Sequence, residues 1–409
     1  MKLETDSHPR LWGAGAQTCV LVLALVAASG AGSVFWKQAR APRFHGAPLH
    51  RWVADLNASD VAVQDRAREV LLEIGPTATP ALVHRLNRSD SFTDAVVEWI
   101  RARGPAVVQR WCANWSTEGE IRSAAARTLE RMGPDAAEAT GALIKALSDS
   151  RTDVRAIAFS ALSKIGRPAV PVLTDELPTA EATRRCVTFN ILAAMGTNAV
   201  SAVPRVRPFL HDPSAEVRLA SAAFLCAVEG RREQLPTGVA HVVSEVIRTG
   251  HARERRAALT LIKQAGVADP EMAAAVSEAA RSSDPYVVVE AAEALGLVWG
   301  RTSEAIRVFV GTLRDADHNV RWRAVTGLQH LLPESAVAMP SIIEATEDSD
   351  RYVRSAAVTL LGKMGEAAKP AVPALQKAAK DPDTLVQSNA AESLWKVDPT
   401  RTAPPRAME

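Results

Sequence analysis

The 409 residues would fill two or three globular domains or one elongated array, and 47% apolar with 23% charged residues excludes a disordered chain. Lysine and arginine (48) nearly balance aspartate and glutamate (46), so the net charge of +2 supplies no long-range field toward nucleic acid or an acidic membrane. Cys19 lies in an apolar segment, and Cys112, Cys186 and Cys226 lack CxxC or CxxxC spacing; they read as small apolar helix residues, not as a disulfide framework or a zinc site.

In chain order, residues 1–10 form a polar head with Lys2 and Arg10. Residues 11–36 then run for 26 positions without a formal charge. As a helix this stretch would extend about 39 Å at ~1.5 Å per residue, against a hydrocarbon core of about 30 Å. Trp12 near one end, and Phe35 and Trp36 near the other, fit interfacial aromatic belts, with Lys37, Arg40 and Arg43 beyond. The expectation is a single transmembrane helix. A cleavable signal peptide is the alternative, because small residues Ala28, Ser29 and Gly30 follow an apolar run of suitable length. Counting basic residues favours a cytoplasmic repeat domain, whereas a short basic head usually stays inside and sends the downstream chain outward. A single-pass membrane protein with an extracytoplasmic repeat domain is therefore expected. Residues 37–48 are expected to be a linker.

The organising signal from residue 49 onward is self-similarity. With Val353 as position zero, equivalents fall at Val63, Phe92, Ile121, Val154, Arg184, Val217, Glu254, Val287, Val320 and Val386. That makes eleven copies, 29 to 37 residues apart. Position +8 is Leu or Ile throughout: Leu71, Ile100, Leu129, Leu162, Leu192, Leu225, Ile262, Leu295, Leu328, Leu361 and Leu394. Offsets 0, 4, 8 and 11 lie on one side of a helix and form a stripe that must be buried. Asp at −5 is placed to end a loop and supply a cap, and Gly at +12 (Gly75, Gly104, Gly133, Gly166, Gly196, Gly266, Gly365) to stop the helix in a left-handed conformation. A first helix fills the other half of each unit. Proline at −13 (Pro171, Pro204, Pro340, Pro373) is expected to bend it. The alanine content implies closely approaching helices, and residues 399–409 read as a disordered tail.

Asp at −5, Val at 0, Arg at +1 and Pro at −13 resemble the HEAT repeat, including the bacterial variants of phycobilisome lyases, over about residues 49–398. The resemblance implies an all-α fold, a right-handed superhelix (a HEAT-type solenoid) of about eleven helical hairpins. It also implies an Asp–Arg ladder between neighbouring repeats, here Asp149, Arg155, Asp212, Arg218, Asp315, Arg321, Asp348, Arg354 and Asp381. The stretch Phe44 to Trp52 resembles the lead-in of bacterial membrane-anchored HEAT proteins. Phe92, Arg184 and Glu254 depart from the aliphatic zero position, so those copies are expected to pack less regularly.

In such superhelices the second helices usually line the concave side, with offsets +2, +6 and +9 pointing away from the buried stripe. Glu69, Glu98, Arg127, Asn190, Glu293 and Glu392 there read as solvated faces, whereas Leu219, Cys226, Val289 and Trp322 do not. Leu219, Val289 and Trp322 are the candidate partner-binding residues, tryptophan being enriched among binding hot spots. The alternative is that neighbouring repeats bury them.

Enzyme readings are weaker. HEAT-like arrays include an iron-dependent hydroxylase with paired His-Glu ligands, yet none of the nine histidines here is followed by Glu. Phycobilin lyases share the repeat, but nothing else in the sequence points to a pigment. Helical-repeat DNA glycosylases need a basic inner face. P-loop, GxGxxG, GxSxG and HExxH motifs are absent. The expected function is therefore a membrane-anchored scaffold for protein partners, without catalysis, cofactor, metal or nucleic acid; an enzyme or enzyme accessory on a HEAT platform is the alternative.

Overall fold

The computed structural model describes residues 43–58, 60–104, 106, 108–109, 117–230 and 234–400. It divides between Ile165 and Gly166 into two compact units.

In the first unit, β1 (Arg43–Phe44) and β2 (Ala47–Pro48) pair antiparallel, within a stretch that the sequence suggested was linker. His45 and Gly46 supply the two positive φ angles of the turn (47° and 80°). The Trp52 indole donates to the Phe44 carbonyl (2.9 Å), which ties the hairpin to α1 (Leu49–Asp55). The next helices are α2 (Val61–Ile74), α3 (Thr79–Leu86), α4 (Phe92–Arg103), α5 (Glu118–Met132), α6 (Thr140–Ala146) and α7 (Thr152–Ile165). The second unit continues with α8 (Val170–Asp175), α9 (Ala182–Ala194), α10 (Val203–Val206), α11 (Ala215–Glu229), α12 (Val239–Thr249), α13 (Ala252–Ala265), α14 (Pro270–Ala279), α15 (Pro285–Trp299), α16 (Thr302–Thr312), α17 (His318–His330), α18 (Met339–Ala345), α19 (Arg351–Lys363), α20 (Val372–Ala378) and α21 (Thr384–Val397). Beyond the β1–β2 hairpin, each unit is a stack of helical hairpins in which a short first helix is followed by a longer second one.

The +8 stripe forms the core. Leu71, Leu129, Leu162, Leu192, Leu225, Ile262, Leu295, Leu328, Leu361 and Leu394 are all buried, whereas Ile100 is half-buried. Each buried leucine contributes about 1.5–3 kcal/mol by leaving water. A lone hairpin cannot shelter them, so successive second helices pack on each other.

Three local expectations change. The prolines at −13 do not bend an α-helix. Pro171, Pro204, Pro340 and Pro373 stand in the first turn of α8, α10, α18 and α20, after 3₁₀ segments, where the missing N–H costs no helical hydrogen bond. Second, the cap is at −3: Asp284, Asp317, Asp350 and Asp383 accept from the first-turn amides, and the −5 aspartates instead brace the loop by accepting from the amide two residues on. Third, the +12 glycines other than Gly104 have positive φ, and Gly266 is left-handed as expected, but Gly133 and Gly166 end their helices with ψ of −128° and −135°, a region hostile to any Cβ, and Gly104 is extended at φ −73°.

The single-pass membrane location, with its extracytoplasmic repeat domain, is corrected. Among the described residues no helix is long and apolar enough to cross a membrane. The longest run 15 residues, about 22 Å against the ~30 Å a span needs. Residues 1–42, including the expected anchor at 11–36, lie outside the described residues, as do Cys112 and the tail 401–409.

Candidate protein-interaction face

The three candidate partner-binding residues occupy the same +2 position on α11, α15 and α17, with different outcomes. Val289 is wholly buried, in one core cluster with Phe309, Val320 and Ala324, and Leu219 is 7% exposed. Trp322 keeps 42% of its surface, which leaves it as the member of the set that offers a large apolar contact.

Sequence reasoning passed over position −1, where aromatic residues recur. Tyr286 lies one residue before Val287 and Tyr352 one before Val353. The Arg256 guanidinium, at +2 on α13, sits 5.1 Å from the Tyr286 ring, and that of Arg323 6.0 Å away. Trp322 holds the same +2 position one copy before Tyr352 that Arg256 holds before Tyr286. Tyr352 is 50% exposed, with the Arg351 guanidinium 4.7 Å from its ring. The repetition of −1 tyrosines was the available signal; a scan limited to +2, +6 and +9 misses it.

A buried polar network supports this face. Lys263 Nζ donates to Glu290 (2.6 Å) and Glu293 (2.7 Å), and Arg323 Nη1 donates to Glu290 (2.8 Å). Burial alone would raise the Glu290 carboxyl, but the hydrogen bonds and charges of Lys263 and Arg323 hold it below the usual glutamate range. Burial would likewise lower Lys263, and the two glutamates raise it. Tyr286 donates its hydroxyl to Asp317, the cap of α17 (2.7 Å). Glu293, read from sequence as solvated, is thus a partner in the network. Burial pushes the Cys226 thiol up to about 11, consistent with a packing role.

The ladder positions form a second constellation. Arg122 reaches Asp149, Arg185 reaches Asp212, Arg321 reaches Asp348 and Arg354 reaches Asp381, each 27 residues ahead, at 2.6–3.0 Å. Arg321 and Arg354 also donate to the carbonyls of their own loops, so each arginine ties two loops together. Arg155 donates to the carbonyls of its own loop and to Thr152, and Arg218 donates to loop carbonyls with Glu245 3.6 Å away, Thr249 standing at the −5 position of the following copy. Asp315 keeps its loop role but lacks an arginine from behind, where Val288 replaces it. Among the described residues no group of three or more His, Cys, Asp or Glu is placed to hold a metal ion.

A hairpin stack with this spacing defines a class, the helical-repeat proteins, within which the family can be stated. The model for HEAT repeats matches residues 111–186, 239–329 and 339–405, more than half of the sequence, so the chain belongs to the HEAT-repeat family. No curated protein matches it. Solved structures similar to it include an engineered protein, 19% identical over 85% of this chain and 98% of its own, with a TM-score of 0.39. Kap95 in its complex with Nup1 is 12% identical over 85% of this chain and 55% of its own, with a TM-score of 0.46. Kap95p bound to RanGDP is 12% identical with the same coverage and a TM-score of 0.49. The chain spans about half the length of the two Kap95 chains.

Proposed function

We propose that this chain is a scaffold that holds a partner protein, without catalytic chemistry of its own, and that the partner docks on the second-helix face of residues 286–352. The observation that carries the reading is Trp322, 42% exposed at a position sealed at Val289 and Leu219. Tyrosine, tryptophan and arginine dominate binding hot spots, and Trp322, Tyr352 and Arg351 supply all three types here. The ladder arginines Arg155, Arg218, Arg321 and Arg354, with Asp149, Asp212, Asp315, Asp348 and Asp381, serve rigidity in this reading; Val289 packs in the core with Val320 and Ala324 of the tryptophan's own helix, and Leu219 is buried on α11 away from it.

The test is affinity capture with the full chain and its Trp322→Ala variant, paired with thermal unfolding. The expected outcome is a specific protein retained by the wild type and lost from the variant, at an unchanged melting temperature. Unchanged capture with a lowered melting temperature would make Trp322 a packing residue and remove the reading's main support.

A further inference from the structure

Two departures from the repeat coincide at one joint. Glu254 takes the zero position that other copies fill with an aliphatic residue, and Thr249 takes the −5 position of the ladder aspartate. The structure shows the result. Arg218 lacks a carboxylate rung; its Nη2 comes only within 3.6 Å of Glu245, and its buried Nε has no partner. Helices α11 and α13 approach each other less closely than α9 and α11 do, and a cleft of about 430 Å³ opens on the second-helix face across α9, α11 and α13.

The cleft has a definite chemistry. Its floor is Leu219 with Ala220, Ala223 and Ala257, small residues that leave room for a guest side chain. Asn190 and Gln264 are exposed on the outer helices of the cleft, where their side-chain amides make no hydrogen bond with the described residues. A primary amide both donates and accepts, which matches the alternating groups of an extended main chain. The rim carries Glu216, 3.5 Å from the 90% exposed Arg253, and Glu254, one of whose oxygens accepts from the His251 amide (2.8 Å) and leaves the other to a guest. Burial chiefly, then the carboxylates of Glu216 and Asp212, push the Cys186 thiol up. About 300–1,000 Å³ is the usual size of a ligand cleft.

We infer that this cleft binds an extended peptide segment of a partner protein, one apolar side chain resting over Leu219 and a neighbouring lysine or arginine reaching Glu216 and Glu254. The inference deepens the scaffold reading and rests on it only in taking a protein as ligand; the site is separate from Trp322.

The test is an array of synthetic nonapeptides, each with a central leucine flanked by lysine, serine or glutamate, probed with the folded full chain. The expected result is retention of lysine-flanked peptides at least tenfold above glutamate-flanked ones. Ala223→Trp, which fills the cleft, should lower that retention at least tenfold, Glu216→Lys should abolish the preference for lysine, and Trp322→Ala should leave both unchanged. Absence of lysine-dependent retention, or equal retention by Ala223→Trp with its melting temperature preserved, would overturn the inference. Loss in Trp322→Ala alone would assign the peptides to the Trp322 site and leave the scaffold reading standing without this cleft.

Discussion

At the scale of residues, the ladder arginines differ by whether a buried carboxylate depends on them. The side chains of Arg122 and Asp149 are 4% and 9% exposed, so Arg122→Ala strands a buried charge and should cost about 3 kcal/mol in urea unfolding. Arg155→Ala removes hydrogen bonds to loop carbonyls and the Thr152 hydroxyl, strands no carboxylate, and should cost about 1 kcal/mol. Equal losses would show that the carboxylate pairing is not what matters. Glu290 gives a pH signature. Its carboxyl is held low in the folded state, so its contribution is complete above the unfolded-state value of about 4.3 and fades as pH falls through the lower folded value. Glu290→Gln should therefore cost about 3 kcal/mol near neutrality, with the gap to wild type closing below about pH 4. A gap independent of pH would mean that Glu290 acts through shape and not charge.

At the scale of elements, close helix approach is the feature most exposed to mutation. A Cβ on Gly362 of α19 would lie 2.9 Å from the backbone of Ser393 on α21, a contact that no rotamer relieves. Gly362→Leu should destabilise the protein by about 3 kcal/mol by calorimetry or urea unfolding, and a neutral result would mean that the two helices separate freely. The sequence showed that α19 and α21 exist, where their stripes run, and where Leu361 and Leu394 sit, because helical periodicity is a one-dimensional property. It misassigned the cap to −5 because two aspartates stand two residues apart in Asp348-Ser349-Asp350, and only backbone geometry tells a loop brace from a cap. It took proline for a bend because spacing alone does not mark where a 3₁₀ segment yields to α-helix.

At the scale of the whole molecule, the repeat family was legible from Val353 and its equivalents, while of the proposed interaction face only Trp322 was named from sequence. Whether a +2 side chain is sealed depends on its size and on which neighbours surround it in space, neither of which the spacing shows: the small Val289 lies inside a core cluster, and the large Trp322 keeps 42% of its surface. The same dependence hid the cleft at Glu254, which in sequence is no more than an irregular repeat. The claim that most needs testing is that a partner protein meets the second-helix face. A photoreactive benzoylphenylalanine placed at Trp322, and in a second variant at Val337, which is 78% exposed in the turn before α18, tests it in the cells that make the protein. The account predicts a discrete crosslinked protein from position 322 and none from position 337; crosslinks from 337 alone, or from neither site, would contradict it.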